Sequence, residues 1–313
     1  MKVMFDGEKD YPQGPIQTID FKDIENEKTN LMFYYGMNPG YFMKRPTTFK
    51  YNIFFETEEP NGLTGGQMPP ERGIPGYWNL DFWTKVVHIC PFTCKWENMI
   101  YNTNKFTYHP YILNPKYNTI EDKIYSVCYI GGVHGRHRIF HQIVEVIKDV
   151  PNYRFVTYGG GNKHSTNVNV NKYEKLKING QSKISIVANL LSENSPGQYQ
   201  LYINKLPQWK KNKAFSRIDS GLMPQFKVRV LEAGMQRSLV LVLKDDWNVI
   251  EASFKPNVHF IYFDSLEKLR EKIDWCFDNW DFCEKIVENM YTECMNNHTV
   301  QAFYDKFLKE YDI

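Results

Sequence analysis

The sequence predicts an α/β protein built on parallel sheets and divided into two domains. Three observations carry that expectation. The chain has 313 residues, about twice a typical domain of ~150 residues. Short apolar runs bounded by Gly, Pro and Asn recur along it, as in strands buried on both faces. From Tyr125 onward those runs alternate with helical periodicity, the β-α-β-α rhythm of a parallel sheet covered on both sides.

The first half reads as strands separated by loops. Lys2–Asp6, Asn30–Tyr35, Tyr51–Phe55, Lys85–Ile89 and Phe106–Tyr108 are the expected strands. Gly62–Gly76 is rich in glycine and proline and reads as a loop. Asn114–Lys123 lies between the two rhythms, and the domain boundary is placed there.

The second half is clearer. Tyr125–Ile130 is a strand, followed by the turn Gly131-Gly132-Val133-His134-Gly135. Arg138–Val150 has helical spacing, with Ile139, Ile143, Val146 and Ile147 assigned to one face. Tyr153–Tyr158 is a strand, Tyr173–Gly180 a helix and Lys183–Leu190 a strand. Gln225–Gln236 is a helix, followed by strands at Ser238–Leu243 and His259–Phe263. Helices at Leu266–Phe277, Phe282–His298 and Val300–Tyr311 close the chain.

Composition narrows the class. Hydrophobic residues make up 42% and charged residues 24%, enough for a core that needs no disulfide or metal staple. Lys plus Arg is 38 and Asp plus Glu 36, a net of +2, which excludes a strongly basic nucleic-acid coat. That balance conceals a basic middle. Residues 1–122 carry 12 basic and 15 acidic side chains, residues 123–229 carry 17 and 5, and residues 230–313 carry 9 and 16. A block at +12 suits an anionic ligand such as a diphosphate, or else is a solvated lysine-rich surface. Aromatics reach 16%; such rings fill cores and also line pockets for sugars and bases.

The six cysteines form no CxxC pair and read as free, buried thiols of a reducing compartment. Met1–Glu8 turns polar too soon for an export signal, and no apolar run approaches the ~18 residues of a membrane span. A cytoplasmic protein is expected.

Three places could carry chemistry. Gly131-Gly132-x-x-Gly135 follows a strand and precedes a helix, where backbone can approach a phosphate. Arg136 and Arg138 stand at that helix entry, with guanidinium forks suited to a diphosphate. The alternative is a glycine turn with surface arginines. On the Gln225–Gln236 helix, Arg229 and Glu232 are three apart and share a face. They read either as a surface ion pair or as a carboxylate for ribose hydroxyls beside phosphate-holding cations, with Lys227 adjacent. Glu56, Glu58 and Glu59 crowd a strand's C-terminal end, where α/β sheets bind ligands. Crowded carboxylates raise one another's pKa, which suits a general base, although a solvated acidic loop looks the same. No HExxH, DxD or GxSxG motif occurs, so neither a metal site nor a serine nucleophile elbow is expected.

At Gln225–Leu308 the residues form a longer pattern. Phe226-Lys-Val-Arg-Val-Leu-Glu-Ala-Gly234 is followed by the strand Ser238–Leu243. Then come Phe254-Lys-Pro-Asn257, Tyr262-Phe-Asp264, Leu269-Arg-Glu-Lys-Ile273 and His298-Thr299. This resembles the C-terminal domain of group 1 glycosyltransferases of the GT-B fold, in particular the CgeB-like branch. The Arg229-x-x-Glu232 spacing is one residue tighter than that branch's Arg-x-x-x-Glu. The resemblance is specific over the last ~85 residues and extends by order of elements to Gly131–Arg138.

The resemblance implies two Rossmann-like domains facing across a cleft. Residues 1–118 would be the acceptor side and 119–313 the nucleotide-sugar side, with the final helix crossing back. It implies a nucleotide sugar as co-substrate, a hydroxyl acceptor such as a glycan, and no metal or other cofactor. Glu232 would bind the donor ribose. Arg229, Lys227, Arg136 and Arg138 would neutralise the diphosphate, and Gly131 and Gly132 would let the backbone approach it. Glu56, Glu58 and Glu59 are the candidate bases if the reaction inverts; retention requires none. Two rivals stand beside this: a glucosyltransferase acting on a hydroxymethylated DNA base, and a non-catalytic nucleotide-binding protein. The absence of GxGxxG argues against a Rossmann oxidoreductase.

Overall fold

A computed structural model describes residues 2–7, 29–36, 51–56, 81, 83–92, 94–95, 98, 102–119, 121–131, 139–158, 162–192 and 222–310. These fall into two compact units. The first takes the described chain up to Ile112 together with the last helix from Phe303, and the second runs from Leu113 to Ala302.

The first unit holds a five-stranded parallel sheet in the order β1 (Lys2–Gly7), β2 (Thr29–Gly36), β3 (Tyr51–Glu56), β4 (Lys85–His88), β5 (Phe106–Tyr108). All five expected strands are present, each end within one residue. Ile53, Phe54 and Phe55 are consecutive and all buried. Successive strand side chains point to opposite faces, so β3 is covered on both. Trp83 meets the Phe54 ring at 5.2 Å. Phe303 meets Phe55 at 5.4 Å and His109 at 4.9 Å.

The second unit is wound about β6 (Tyr125–Ile130), β7 (Tyr153–Thr157), β8 (Asn167–Val168), β9 (Ser182–Val187), β12 (Leu239–Leu243) and β13 (Ile261–Phe263). Their spatial order is β13-β12-β9-β6-β7-β8, parallel throughout. A short antiparallel pair, β10 (Leu190–Ser192) and β11 (Leu222–Pro224), stands apart. The helices are α1 (Ile139–Ile147), α2 (Lys172–Gln181), α3 (Arg229–Met235), α4 (Leu269–Asp278), α5 (Trp280–Asn297) and α6 (Val300–Glu310). Among the described residues, no helix is long and apolar enough to cross a membrane. All six cysteines are free and buried.

Three of the differences from the sequence expectation bear on the core and the site. The buried stripe of α1 is Phe140, Ile143, Val144 and Ile147, not one containing Ile139 and Val146. Both sets fit the 3.6-residue period equally well; the observed one takes the larger phenyl ring into the core. The strand expected over Lys183–Leu190 is two elements, because the chain leaves the sheet at Ala188-Asn189. The helix expected from Gln225 begins only at Arg229. Its first residues are held elsewhere: Gln225 N–H donates to the Asn189 carbonyl at 2.9 Å and Lys227 N–H to Asn189 Oδ1 at 3.0 Å.

The segment Asn114–Lys123 is fastened to the second unit rather than lying loose. The Gln236 amide accepts from Thr119 N–H and Oγ1 at 3.1 and 2.8 Å and donates to the Tyr117 carbonyl at 2.7 Å. Lys123 Nζ donates to the Gly180 and Gln236 carbonyls at 2.6 and 3.2 Å, and burial lowers its pKa to about 8.

Helices α3 and α5 cross closely because residue 234 is glycine. A Cβ there would lie 2.8 Å from both Cys294 Sγ and Met290 Cγ. Gly234→Ala is expected to destabilise the protein by about 1–3 kcal/mol through overpacking, despite alanine's better helix propensity. Urea unfolding measures this; an unchanged or raised midpoint would contradict the close crossing.

Candidate functional site

Parallel α/β sheets bind ligands beyond the C-terminal ends of their strands, where the winding reverses. In the second unit that point lies between β6 and β9. The chain leaves β6 toward β7 and β8, returns to β9 on the other side of β6, and continues outward to β12 and β13. Gly131 follows β6 and Asn189 lies two residues beyond β9.

Arg229, the first residue of α3, lies directly on Gly131. A Cβ on Gly131 would stand 2.6 Å from the Arg229 Cζ and Nη1 atoms, and the backbone φ of +156° is one that other residues rarely adopt. Glycine is favoured here by the backbone conformation, and its missing Cβ leaves the room that the guanidinium occupies. The Gly131 N–H is already used, donating to the Val156 carbonyl at 2.9 Å. Its part is therefore to leave room, not to donate to a ligand. The guanidinium also stands 5.8 Å from the centroid of the buried Tyr129 ring, within cation–π range. Burial pushes the Tyr129 phenol up, and the Arg229 charge opposes that.

Polar atoms at this edge are left over. Arg229 Nη1, Tyr129 Oη and Asn189 Nδ2 are buried and have no hydrogen-bond partner among the described residues. A buried polar group without a partner costs about 1–3 kcal/mol, so several together call for an explanation.

Glu232 lies one turn further along α3 and is fully buried. Its partner is Lys175 of α2, with Nζ 2.5 Å from Oε1. A surface ion pair between Arg229 and Glu232 is thus not what the structure contains: Glu232 is inside, paired across helices, and Arg229 turns to the glycine. Lys227 is half-buried, and its Nζ donates to Gln225 Oε1.

The remaining expected site residues divide simply. Glu56 ends β3 in the first unit. Glu58, Glu59, Gly132, Arg136 and Arg138 lie outside the described residues. The structure therefore brings together Gly131, Arg229, Lys227 and Glu232. It adds Asn189, Tyr129 and Lys175, which sequence reasoning missed. Asn189 alone had a visible signal, a polar residue closing an apolar strand run.

Asp245, just beyond β12, is a second buried acid at this edge. Its Oδ1 accepts from the Trp247 N–H at 2.9 Å and the Val249 N–H at 3.4 Å. Burial outweighs those bonds and raises its pKa to about 6. The folded protein therefore holds a proton between about pH 4 and 6 that the unfolded chain releases, so this group's contribution falls as pH rises through that window. Asp245→Asn keeps the accepting oxygen and removes the charge. It is expected to gain about 1–3 kcal/mol over wild type at pH 7.5 and little at pH 4. Equal differences at both pH values in denaturant unfolding would contradict the assignment.

Comparison with known proteins fits this geometry. Residues 136–309 match the family described as glycosyl transferase-like, more than half of the chain. The match is to the family as a whole and does not single out the CgeB-like branch. No curated protein matches the sequence. Among solved structures, a glycosyltransferase from Rickettsia africae is similar at 14% identity and a TM-score of 0.53, over 90% of this chain and 76% of that one. Sucrose-phosphate synthase from Thermosynechococcus elongatus aligns at 10% identity and a TM-score of 0.54, over 90% and 73%. HepE from Anabaena, solved with UDP-glucose, aligns at 8% identity and a TM-score of 0.58, over 90% and 78%. At such identities the structural likeness speaks for the fold, and the family match for the class: the chain belongs to the glycosyl transferase-like family and has the fold of the group 1, GT-B glycosyltransferases.

Proposed function

We propose that the protein transfers a sugar from a nucleotide-sugar donor to a hydroxyl acceptor, with the donor diphosphate held over Gly131 by Arg229. The observation that carries this reading is the Arg229 guanidinium, laid on a glycine at the winding reversal with a buried N–H group that has no partner among the described residues. A phosphate oxygen supplies the acceptor that this donor lacks. Lys227 adds a second cation nearby, and the surrounding segment 123–229 is strongly basic. HepE, of similar fold, is solved with UDP-glucose.

In this reading the bond from the sugar's anomeric carbon to the diphosphate breaks, and negative charge grows on the departing oxygen. Arg229 and Lys227 stabilise that charge from fixed positions, where a preorganised cation is worth most. Glu232 accepts the ribose hydroxyls, and Lys175 fixes its carboxylate. Arg136, Arg138 and Gly132 complete the donor site. The acceptor, a glycan or another hydroxyl compound, is taken by the first unit. Its proton passes to Glu56, Glu58 or Glu59 if the configuration inverts. With protein cations neutralising the diphosphate, no metal is needed, and turnover is expected to survive EDTA.

Two variants separate the roles. Arg229→Ala should lower turnover more than donor affinity, by roughly 10- to 150-fold for the loss of a charge-assisted contact worth about 1.5–3 kcal/mol. Glu232→Gln should weaken donor affinity mainly, because the ribose is unchanged during reaction. Steady-state transfer with a panel of nucleotide sugars reads both. Wild-type rate and affinity in both variants would refute the site.

A further inference from the structure

Beside the Arg229 guanidinium lies Tyr129, the last residue but one of β6. Tyr129 and Gly131 are two apart, and Gly131 still bonds to β7 through the Val156 carbonyl, so their side-chain directions share a face of the sheet. Gly131 has no side chain on that face, and Arg229 fills the room it leaves. The guanidinium comes within 5.8 Å of the Tyr129 ring centroid. Phe155, the partner of Tyr129 in the register of β7, meets the same ring at 5.9 Å. The whole tyrosine is buried. Packing therefore holds the ring, and with it the hydroxyl, in one place.

We propose that the Tyr129 hydroxyl is a second donor to the diphosphate, sharing with Arg229 the phosphate oxygen that enters over Gly131. This rests on the donor-site reading and adds a residue to it. The polar groups left over at the ends of β6 and β9 carry the inference, because all three have protons to give. Arg229 Nη1 and Asn189 Nδ2 are donors only, and neither has a partner among the described residues. The acceptor oxygen of Asn189 is already taken by the Lys227 N–H. Tyr129 Oη, also without a partner among the described residues, is able to accept from the guanidinium, but its own proton would still lack an acceptor. Burial pushes the phenol up, so that proton stays on the oxygen.

A set of buried donors is completed by an acceptor-rich anion and not by a cation. A phosphate oxygen accepts from Nη1 and Oη together. Asp245, which has an oxygen to spare, stands at the end of β12, on the far side of β9 from Tyr129. The two donors differ in what they bring. Arg229 supplies charge, and Tyr129 supplies a hydroxyl whose position its ring fixes.

Tyr129→Phe tests this, because it keeps the ring and its packing and removes one oxygen. Calorimetric titration of the full chain with the tightest binder among UDP, GDP and ADP, and with its parent nucleoside, gives the preference for the diphosphate. Tyr129→Phe should cut that preference about tenfold, as for one hydrogen bond to a charged group, and leave nucleoside affinity unchanged. Its unfolding midpoint without nucleotide should stay level or rise, since the lost hydroxyl leaves no partner behind. A wild-type preference in the variant overturns the inference. So does a lower midpoint, which would show the hydroxyl bonded within the fold. Arg229→Ala in the same titrations separates this inference from the donor-site reading. Preference lost in Arg229→Ala and kept in Tyr129→Phe removes Tyr129 alone. Preference kept in both, or absent from wild type, removes the donor site with it.

Discussion

The second unit depends on one topological constraint, the reversal of winding between β6 and β9. Only there do two neighbouring strand ends emerge without a crossover helix filling the space above them. Gly131 and Asn189 fall at those ends. Asn189 binds the backbone of Gln225 and Lys227, which delays the start of α3 until Arg229. The missing Cβ of Gly131 then lets the guanidinium lie on the backbone. One turn later Glu232 reaches the core, where Lys175 meets it. The positions of all three charged groups therefore trace back to the same reversal.

Several polar groups at this edge add little stability. A buried ion pair such as Lys175–Glu232 contributes little net stability, because desolvation offsets the attraction; what it does is fix a carboxylate in place. Asp245 is held inside despite a carboxyl that burial drives toward protonation. Arg229, Tyr129 and Asn189 each keep a buried polar atom without a partner among the described residues. Behind the edge, Ser185 Oγ meets Ser238 Oγ at 2.9 Å and donates to Asn179 Oδ1 at 2.9 Å, while Asn179 Nδ2 has no partner among the described residues.

Much of this architecture was legible in the residues. Strands covered on both faces give unbroken apolar runs, so Ile53–Phe55 and Leu239–Leu243 stood out, and their order with the helices gave the parallel class. Gly131, Arg229 and Glu232 were singled out because a glycine turn after a strand, and a cation three residues from a carboxylate, are chemistry-bearing patterns. Their partners were not legible. Lys175 is 57 residues from Glu232, and Arg229 is 98 from Gly131; such pairings follow from strand order, which no local window contains. The early end of β9 and the late start of α3 were missed for one reason. Both are set by Asn189 bonding to Gln225 and Lys227, a contact that overrides the periodicity of either segment.

The central claim is that Arg229 recognises the diphosphate. The most direct measurement is calorimetric titration of wild type and Arg229→Ala with a nucleoside diphosphate and its parent nucleoside, choosing the tightest binder among UDP, GDP and ADP. The account predicts that wild type prefers the diphosphate, and that the substitution cuts this preference by roughly tenfold or more while leaving nucleoside affinity unchanged. A preference equal to wild type's in Arg229→Ala would contradict it.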